Sequence, residues 1–250
     1  MTARSVLGLL GGAAIVAAGL AIAGCESTQD KSARMAREGR NRLKHQRGLV
    51  IARRSRDVKV VSTTTLHDAN GAAVVVLMRN RGGRPLARLP IAVEVDDHAG
   101  KPVYRNDAPG LETSLVSAAQ LPSRGELWWV NDQVQASGTP ARAKVVVGEA
   151  PAATAPAPRI ELRNIRLALD PVSGIALKGD AVNHSRVDQR RLVIYCVARK
   201  GGRVVAAGRA IIERLRFGKP AHFTLFFIGN PRGARITLAA PPTGPSGSGA

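Results

Sequence analysis

From Leu89 to Asp96 the chain alternates without a break. Leu89, Ile91, Val93 and Val95 are apolar, with Pro90, Ala92, Glu94 and Asp96 between them. A repeat of two puts all four apolar side chains on one face of an extended chain, whereas a helix would scatter them. This is a half-buried strand, and a half-buried strand requires neighbours and a second layer. It runs into Asp97-His98-Ala99-Gly100-Lys101, a hairpin-type turn. Upstream, Ala72–Met78 is an unbroken apolar run that suits a fully buried strand, and Asn70-Gly71 before it is a strong turn signal. Val58–Val61 and Lys144–Val147 read as outer strands. Aromatic residues make up only 3% of the chain, so its core must be aliphatic, and its 26 glycines and 15 prolines favour turns over long helices.

Residues 149–158 read Glu-Ala-Pro-Ala-Ala-Thr-Ala-Pro-Ala-Pro. Alternating proline and alanine disfavours helix and ladder alike and predicts an extended linker. It separates a unit over 57–148 from a second over 159–240. The second unit opens with Ile160 and Leu162, then continues with Ile165, Leu167 and Leu169, so its phase slips by one. A β-bulge near Arg163-Asn164 would absorb the extra residue. Strands follow at Ile175–Val182, Leu192–Ala198, Arg203–Ile212, Ala221–Ile228 and Arg235–Leu238, with a Gly201-Gly202 turn among them. The two units share a layout. In each, a buried strand ends at an asparagine (Asn80, Asn183), a polar connection follows, and an apolar strand leads to a glycine turn. This reads as a tandem duplication. The expected fold class is all-β: two tandem small Ig-like antiparallel β-sandwich domains. The last residues, 241–250, are small and read as a flexible tail.

Within the second unit, Val182-Asn183, Leu192–Val197, Gly201-Gly202 and the stretch Gly218-Lys219-Pro220-Ala221-His222-Phe223 resemble the small extracellular Ig-like domains of the FxLYD type. The resemblance covers about 60 residues. It implies an adhesion-like or accessory module rather than a reaction centre.

The N-terminus decides the compartment. Arg4 precedes Val6–Gly24, a stretch of apolar and small residues, and the stretch ends Leu20-Ala21-Ile22-Ala23-Gly24-Cys25. A charged start, an apolar middle and a small-residue end are the layout of a secretory leader. The final residues resemble the lipobox of bacterial lipoproteins. That resemblance implies diacylglycerol on the Cys25 sulfur, cleavage between Gly24 and Cys25, and a protein held by its lipid on the extracytoplasmic face of the cell membrane. The competing reading is an uncleaved anchor, since Val6–Gly24 approaches the roughly 20 residues that span a bilayer.

Residues 25–56 form a basic tether. The net charge of the whole chain is +19. Positive charge normally stays cytoplasmic, but Glu26–Asp30 delays the first cation to Lys31. On a helix, Arg37, Arg40, Lys44 and Arg47 would share one stripe. They are the candidate contacts to anionic lipid or a cell-wall polymer; a solvated spacer is the simpler alternative. Nucleic acid is not an expected partner, because export separates the chain from it and no aromatics interleave with the cations.

No catalytic constellation emerges. His45, His67, His98, His184 and His222 are scattered, no Gly-x-Ser-x-Gly elbow occurs, and no Cys/His cluster has metal spacing. Asp96-Asp97 sits beside a turn, and Cys196 lies in an apolar run as an inert buried thiol. Trp128-Trp129 stands out among so few aromatics. Adjacent strand residues face opposite ways, so one indole belongs in the core. The other meets the second unit, a ligand or a membrane. No metal or cofactor is expected. The sequence thus points to a non-enzymatic, membrane-anchored envelope module that binds a protein or an anionic polymer. The alternative is an accessory subunit of an envelope secretion or transport complex.

Overall fold

A computed structural model describes residues 48–153, 157–170 and 174–243. They form antiparallel β-structure with a single short 3-10 turn, Thr113–Leu115. The first half contains β1 (Val58–Asp68), β2 (Gly71–Asn80), β3 (Leu86–Asp96), β4 (Pro102–Arg105), β5 (Ser117–Leu121), β6 (Glu126–Asn131) and β7 (Arg142–Val147). One sheet runs β1-β2-β6, and the other is built on β3, which pairs with β4, β5 and β7. The second half contains β8 (Ile160–Asp170), β9 (Gly174–Asn183), β10 (Gln189–Lys200), β11 (Arg203–Leu215), β12 (Pro220–Phe226), β13 (Ile228–Gly229) and β14 (Arg235–Ala239). Its sheets run β13-β11-β10-β14 and β12-β9-β8. Each half is a β-sandwich, as the alternation predicts.

The alternation in β3 does what its period dictates. Leu89, Ile91, Val93 and Val95 are buried in the first core. On the opposite face Glu94 lies between strands and pairs with Arg105 of β4 and Lys144 of β7. The phase slip in β8 is also present: its pairing with β9 shifts between Arg163 and Arg166, and Asn164 takes a left-handed φ of 55°.

The unbroken apolar run of β10 has a specific cause. Leu192, Ile194, Cys196 and Ala198 enter the core of the second sandwich. Val193, Tyr195 and Val197, pointing the other way, join the core of the first, together with Ala207 of β11. β10 is therefore buried on both faces, which leaves no position for a solvated side chain along its middle. The start of the proline-alanine segment is also bonded: Ala87 N–H donates to the Pro151 carbonyl at 2.9 Å and Ala153 N–H to the Pro85 carbonyl at 2.8 Å.

The halves repeat one another in detail. β2 and β9 begin at Gly71 and Gly174 and end at Asn80 and Asn183, each pair 103 positions apart, as 174 is from 71. Both glycines have positive φ, 134° and 84°, at the turn into the strand. Asn80 and Asn183 are both fully buried and do the same work. Each amide oxygen accepts the backbone N–H two residues on (Gly82 at 2.8 Å, Ser185 at 2.9 Å), and each amide nitrogen donates to the carbonyl four residues on (Arg84 and Val187, both at 2.8 Å). Arg88 and Arg191, with the same separation, both take a left-handed φ, 50° and 49°. The β1 bulge between Val60 and Ser62 likewise matches the one at Asn164.

Candidate functional site

Arg209 is the charged residue in the otherwise apolar run from Val204 to Ile212. Its side chain is 3% exposed, and an isolated guanidinium at that depth would be prohibitively costly. It is held by groups from the other sandwich. Arg209 Nε donates to Asp132 Oδ1 at 2.7 Å, and its backbone N–H donates to Asp132 Oδ2 at 3.0 Å. Nη1 donates to Glu112 Oε2 at 3.0 Å and also to the Ser114 hydroxyl.

Each acceptor is itself positioned. Asp132 directly follows β6, and Glu112 precedes the 3-10 turn, where its carboxylate accepts the Ser114 N–H at 3.1 Å. Trp129 fixes that turn by donating its indole N–H to the Ser114 carbonyl at 3.0 Å and the Ser117 carbonyl at 3.2 Å. Arg191 Nη2 reaches the other Glu112 oxygen at 3.1 Å, while its Nη1 binds Glu213. Burial alone would raise the pKa of Glu112. Hydrogen bonds from Ser114, Arg191 and Arg209 outweigh it, so the carboxyl lies below its ordinary value. The result is an ionic cluster that ties the sandwiches together.

The two tryptophans diverge as strand neighbours must. Trp129 is fully buried in the first core, opposite Val76. Trp128 lies partly buried opposite Leu77, with the Arg199 guanidinium of β10 5.5 Å from its ring centroid. That is within cation–π range, so the second indole packs at the seam between the halves. Cys196 is a buried free thiol, and burial pushes its pKa up to about 12. Gly24, Cys25, Arg37, Arg40, Lys44 and Arg47 lie outside the described residues.

A second feature lies at one end of the first sandwich. Arg81 N–H donates to the Asp57 carbonyl at 2.7 Å, and its Nη2 reaches the Arg56 carbonyl at 3.4 Å. Arg124 N–H donates to the Gly82 carbonyl at 3.2 Å. These bonds gather Arg56, Arg81, Arg84 and Arg124 onto neighbouring loops. All four are exposed, and none forms an ion pair among the described residues. Much of the chain's acid is consumed elsewhere, in pairs such as Arg79–Glu126, Lys144–Asp96 and Arg214–Asp188.

The ionic cluster was not evident from sequence spacing, because Glu112, Asp132, Arg191 and Arg209 come from separate segments. One signal was available: a single arginine inside an apolar strand needs buried acids somewhere in the fold. The equivalence of Arg88 and Arg191 was likewise present in the spacing from Asn80 and Asn183.

No protein-family model matches this chain, and no curated protein matches it. Among solved structures it is similar to red sea bream transglutaminase, at 12% identity and a TM-score of 0.19. That match covers 87% of this chain and 34% of the transglutaminase chain, so the chain spans about a third of its length.

Proposed function

We propose that the chain is a bacterial envelope lipoprotein, lipid-anchored through Cys25 after cleavage at Gly24. It acts as a non-enzymatic module that binds an anionic polymer on the extracytoplasmic side of the membrane. The observation that carries this reading is the arginine-rich end formed by Arg56, Arg81, Arg84 and Arg124. It lies beside Arg56 and Asp57, where the chain enters the first sandwich, and the sequence just upstream is also basic. Exposed guanidinium groups without an acidic partner are suited to bidentate contact with carboxylate or phosphate. Arg37, Arg40, Lys44 and Arg47 of the tether add cationic charge to the same chain. The FxLYD-like pattern of the second half agrees with an accessory binding role.

The test is cosedimentation of the full chain, in detergent, with an insoluble polyanionic wall polymer over a salt series. Retention should fall steeply with salt, as contacts between exposed charges are screened. It should also drop several-fold when Arg81, Arg84 and Arg124 are together changed to Gln. Salt-independent retention, or retention indifferent to those changes, counts against the reading.

A second reading has its own observation. The edge strand β8 exposes Ile165, Leu167 and Leu169, the last at 70%. An apolar strip along a free sheet edge favours a protein partner, as an accessory subunit of an envelope complex would have. Crosslinking from Leu169 in intact membranes distinguishes the two, since only this reading predicts a discrete protein adduct there.

A further inference from the structure

The duplication gives one sheet face two different fates. In the first half, Val75 and Leu77 of β2 share a face with Val130 and Trp128 of β6, which stand opposite them in register. That face is turned to the second half, where the Arg199 guanidinium lies over the Trp128 ring. The equivalent strands of the second half are β9 and β12. Lys178 and Asp180 keep the Gly71–Gly174 separation from Val75 and Leu77, and Thr224 and His222 stand opposite them. Four apolar positions of the joint have thus become four polar ones on the outer face of the β12-β9-β8 sheet.

The centre of this face is organised by a buried carboxylate. Asp180 is 9% exposed, and both of its oxygens are engaged. Oδ2 accepts the Asn164 amide N–H at 2.6 Å, from the β8 bulge, and Oδ1 bonds His222 Nδ1. The imidazole is therefore held by one nitrogen, while its side chain is 90% exposed. Around it the register sets a pattern. Arg166, Lys178 and Thr224 form one row across the sheet, and Ala168, Ala176 and Phe226 form the next. Neither Arg166 nor Lys178 forms an ion pair among the described residues. Glu161, the other acid on this face, is taken by His184 at 2.6 Å. Phe226 is 42% exposed, and its two row neighbours are alanines, too short to cover its ring. With strands about 4.8 Å apart and alternate residues about 6.8 Å apart, the aromatic ring and both cations start within about 12 Å of one another.

We propose that this face binds an acidic polysaccharide. The apolar side of a sugar ring, with its slightly positive C–H groups, stacks on the Phe226 ring, whose face is negative. The sugar carboxylates pair with Lys178 and Arg166, and His222 Nε2 hydrogen-bonds a ring hydroxyl. A polypeptide polyanion offers the same charge without flat-sided rings. A nucleic-acid strand needs several aromatics to stack successive bases, and this face has one. The inference rests on the anionic-polymer reading above and names the class of polymer.

The probe is a galacturonate hexamer, titrated calorimetrically into the full chain in detergent at fixed ionic strength. A glutamate hexamer and a thymidylate hexamer, of similar charge, are the comparators. The galacturonate hexamer should bind at least about tenfold more tightly than either, a difference of roughly 1.4 kcal/mol. Phe226→Ala should abolish that preference over the glutamate hexamer. Arg166→Gln with Lys178→Gln should weaken galacturonate binding about tenfold or more, as expected for hydrogen bonds between charged groups. The combination Arg81→Gln, Arg84→Gln and Arg124→Gln, in the other sandwich, should weaken all three polyanions and keep the preference. The unfolding curve of each variant confirms that it is folded. Equal wild-type binding of the galacturonate and glutamate hexamers, tighter binding of the thymidylate hexamer, or a preference that survives Phe226→Ala would each overturn this inference and leave the anionic-polymer reading standing. Failure of all three polyanions to bind would count against both.

Discussion

Tyr195 and Arg209 stand directly opposite each other on β10 and β11, and both point into the first sandwich. Arg209 is met there by two carboxylates and a hydroxyl, whereas the Tyr195 hydroxyl is met by no charged partner and lies shielded from solvent beside the Trp129 indole. One side chain thus ties the sandwiches together through charge, and its neighbour across the strand pair is sealed in the first core. The two should respond differently to substitution.

Arg209→Met keeps much of the side-chain volume but leaves Asp132 without its guanidinium and Glu112 with only one of its two, at a largely buried seam. Removing one partner of a buried ionic cluster costs about 3–5 kcal/mol. Urea unfolding of Arg209→Met should show a loss of that order, and adding Asp132→Asn should restore part of it. A loss below about 1 kcal/mol, the range of exposed pairs, would mean the cluster is hydrated and weak.

Tyr195→Phe should behave differently. The hydroxyl has no charged partner, and its neighbour, the Trp129 indole N–H, is already donated to the Ser114 and Ser117 carbonyls, so the variant should unfold at nearly the same urea concentration. A destabilisation of about 1 kcal/mol or more, the worth of an ordinary hydrogen bond, would show that the phenol is already paired.

Glu112 sets the acid side of stability. Its folded pKa lies below its ordinary value near 4.5 because Ser114, Arg191 and Arg209 hold the charged form against the opposing effect of burial. A depressed folded pKa means the unfolded chain binds the proton more readily. The stabilisation is therefore complete above about pH 5 and is lost as pH falls through 4.5 towards the folded value. Glu112→Gln should be less stable than wild type at pH 7, and the difference should shrink steadily below pH 4.5. A pH-independent difference would contradict the assignment.

The duplication makes a paired prediction. Asn80 and Asn183 each satisfy one N–H and one carbonyl of an equivalent loop from equally buried positions, and Asn183 adds bonds to the Leu215 carbonyl and the Ser185 hydroxyl. Asn80→Ala and Asn183→Ala should therefore destabilise by similar amounts, about 1–3 kcal/mol each, the cost of leaving buried backbone groups unpaired. Calorimetric unfolding of the two variants checks this. A large cost at one site only would show that the repeats have diverged in what holds them.

Local pattern carried much of this fold. The faces of β3 follow from the two-residue period of Leu89, Ile91, Val93 and Val95. The bulge at Asn164 follows from the slip between Leu162 and Ile165, and the tandem repeat from the matching asparagines. What pattern could not reveal was the second face of β10. Leu192–Ala198 reads as buried on both sides, but nothing local says that Val193, Tyr195 and Val197 meet the other sandwich. The partners of Arg209 were hidden for the same reason, since Glu112 and Asp132 lie 97 and 77 positions away and look like ordinary loop acids. Long-range charge pairing leaves a trace only at its buried end.

The envelope reading depends most on Cys25, and mass spectrometry of the chain extracted from bacterial membranes tests it most directly. The account predicts a mature chain that begins at Cys25 and carries a diacylglycerol mass on that residue. In Cys25→Ser that mass should be absent and residues 1–24 should remain attached. A wild-type chain that retains residues 1–24 with an unmodified Cys25 would contradict it.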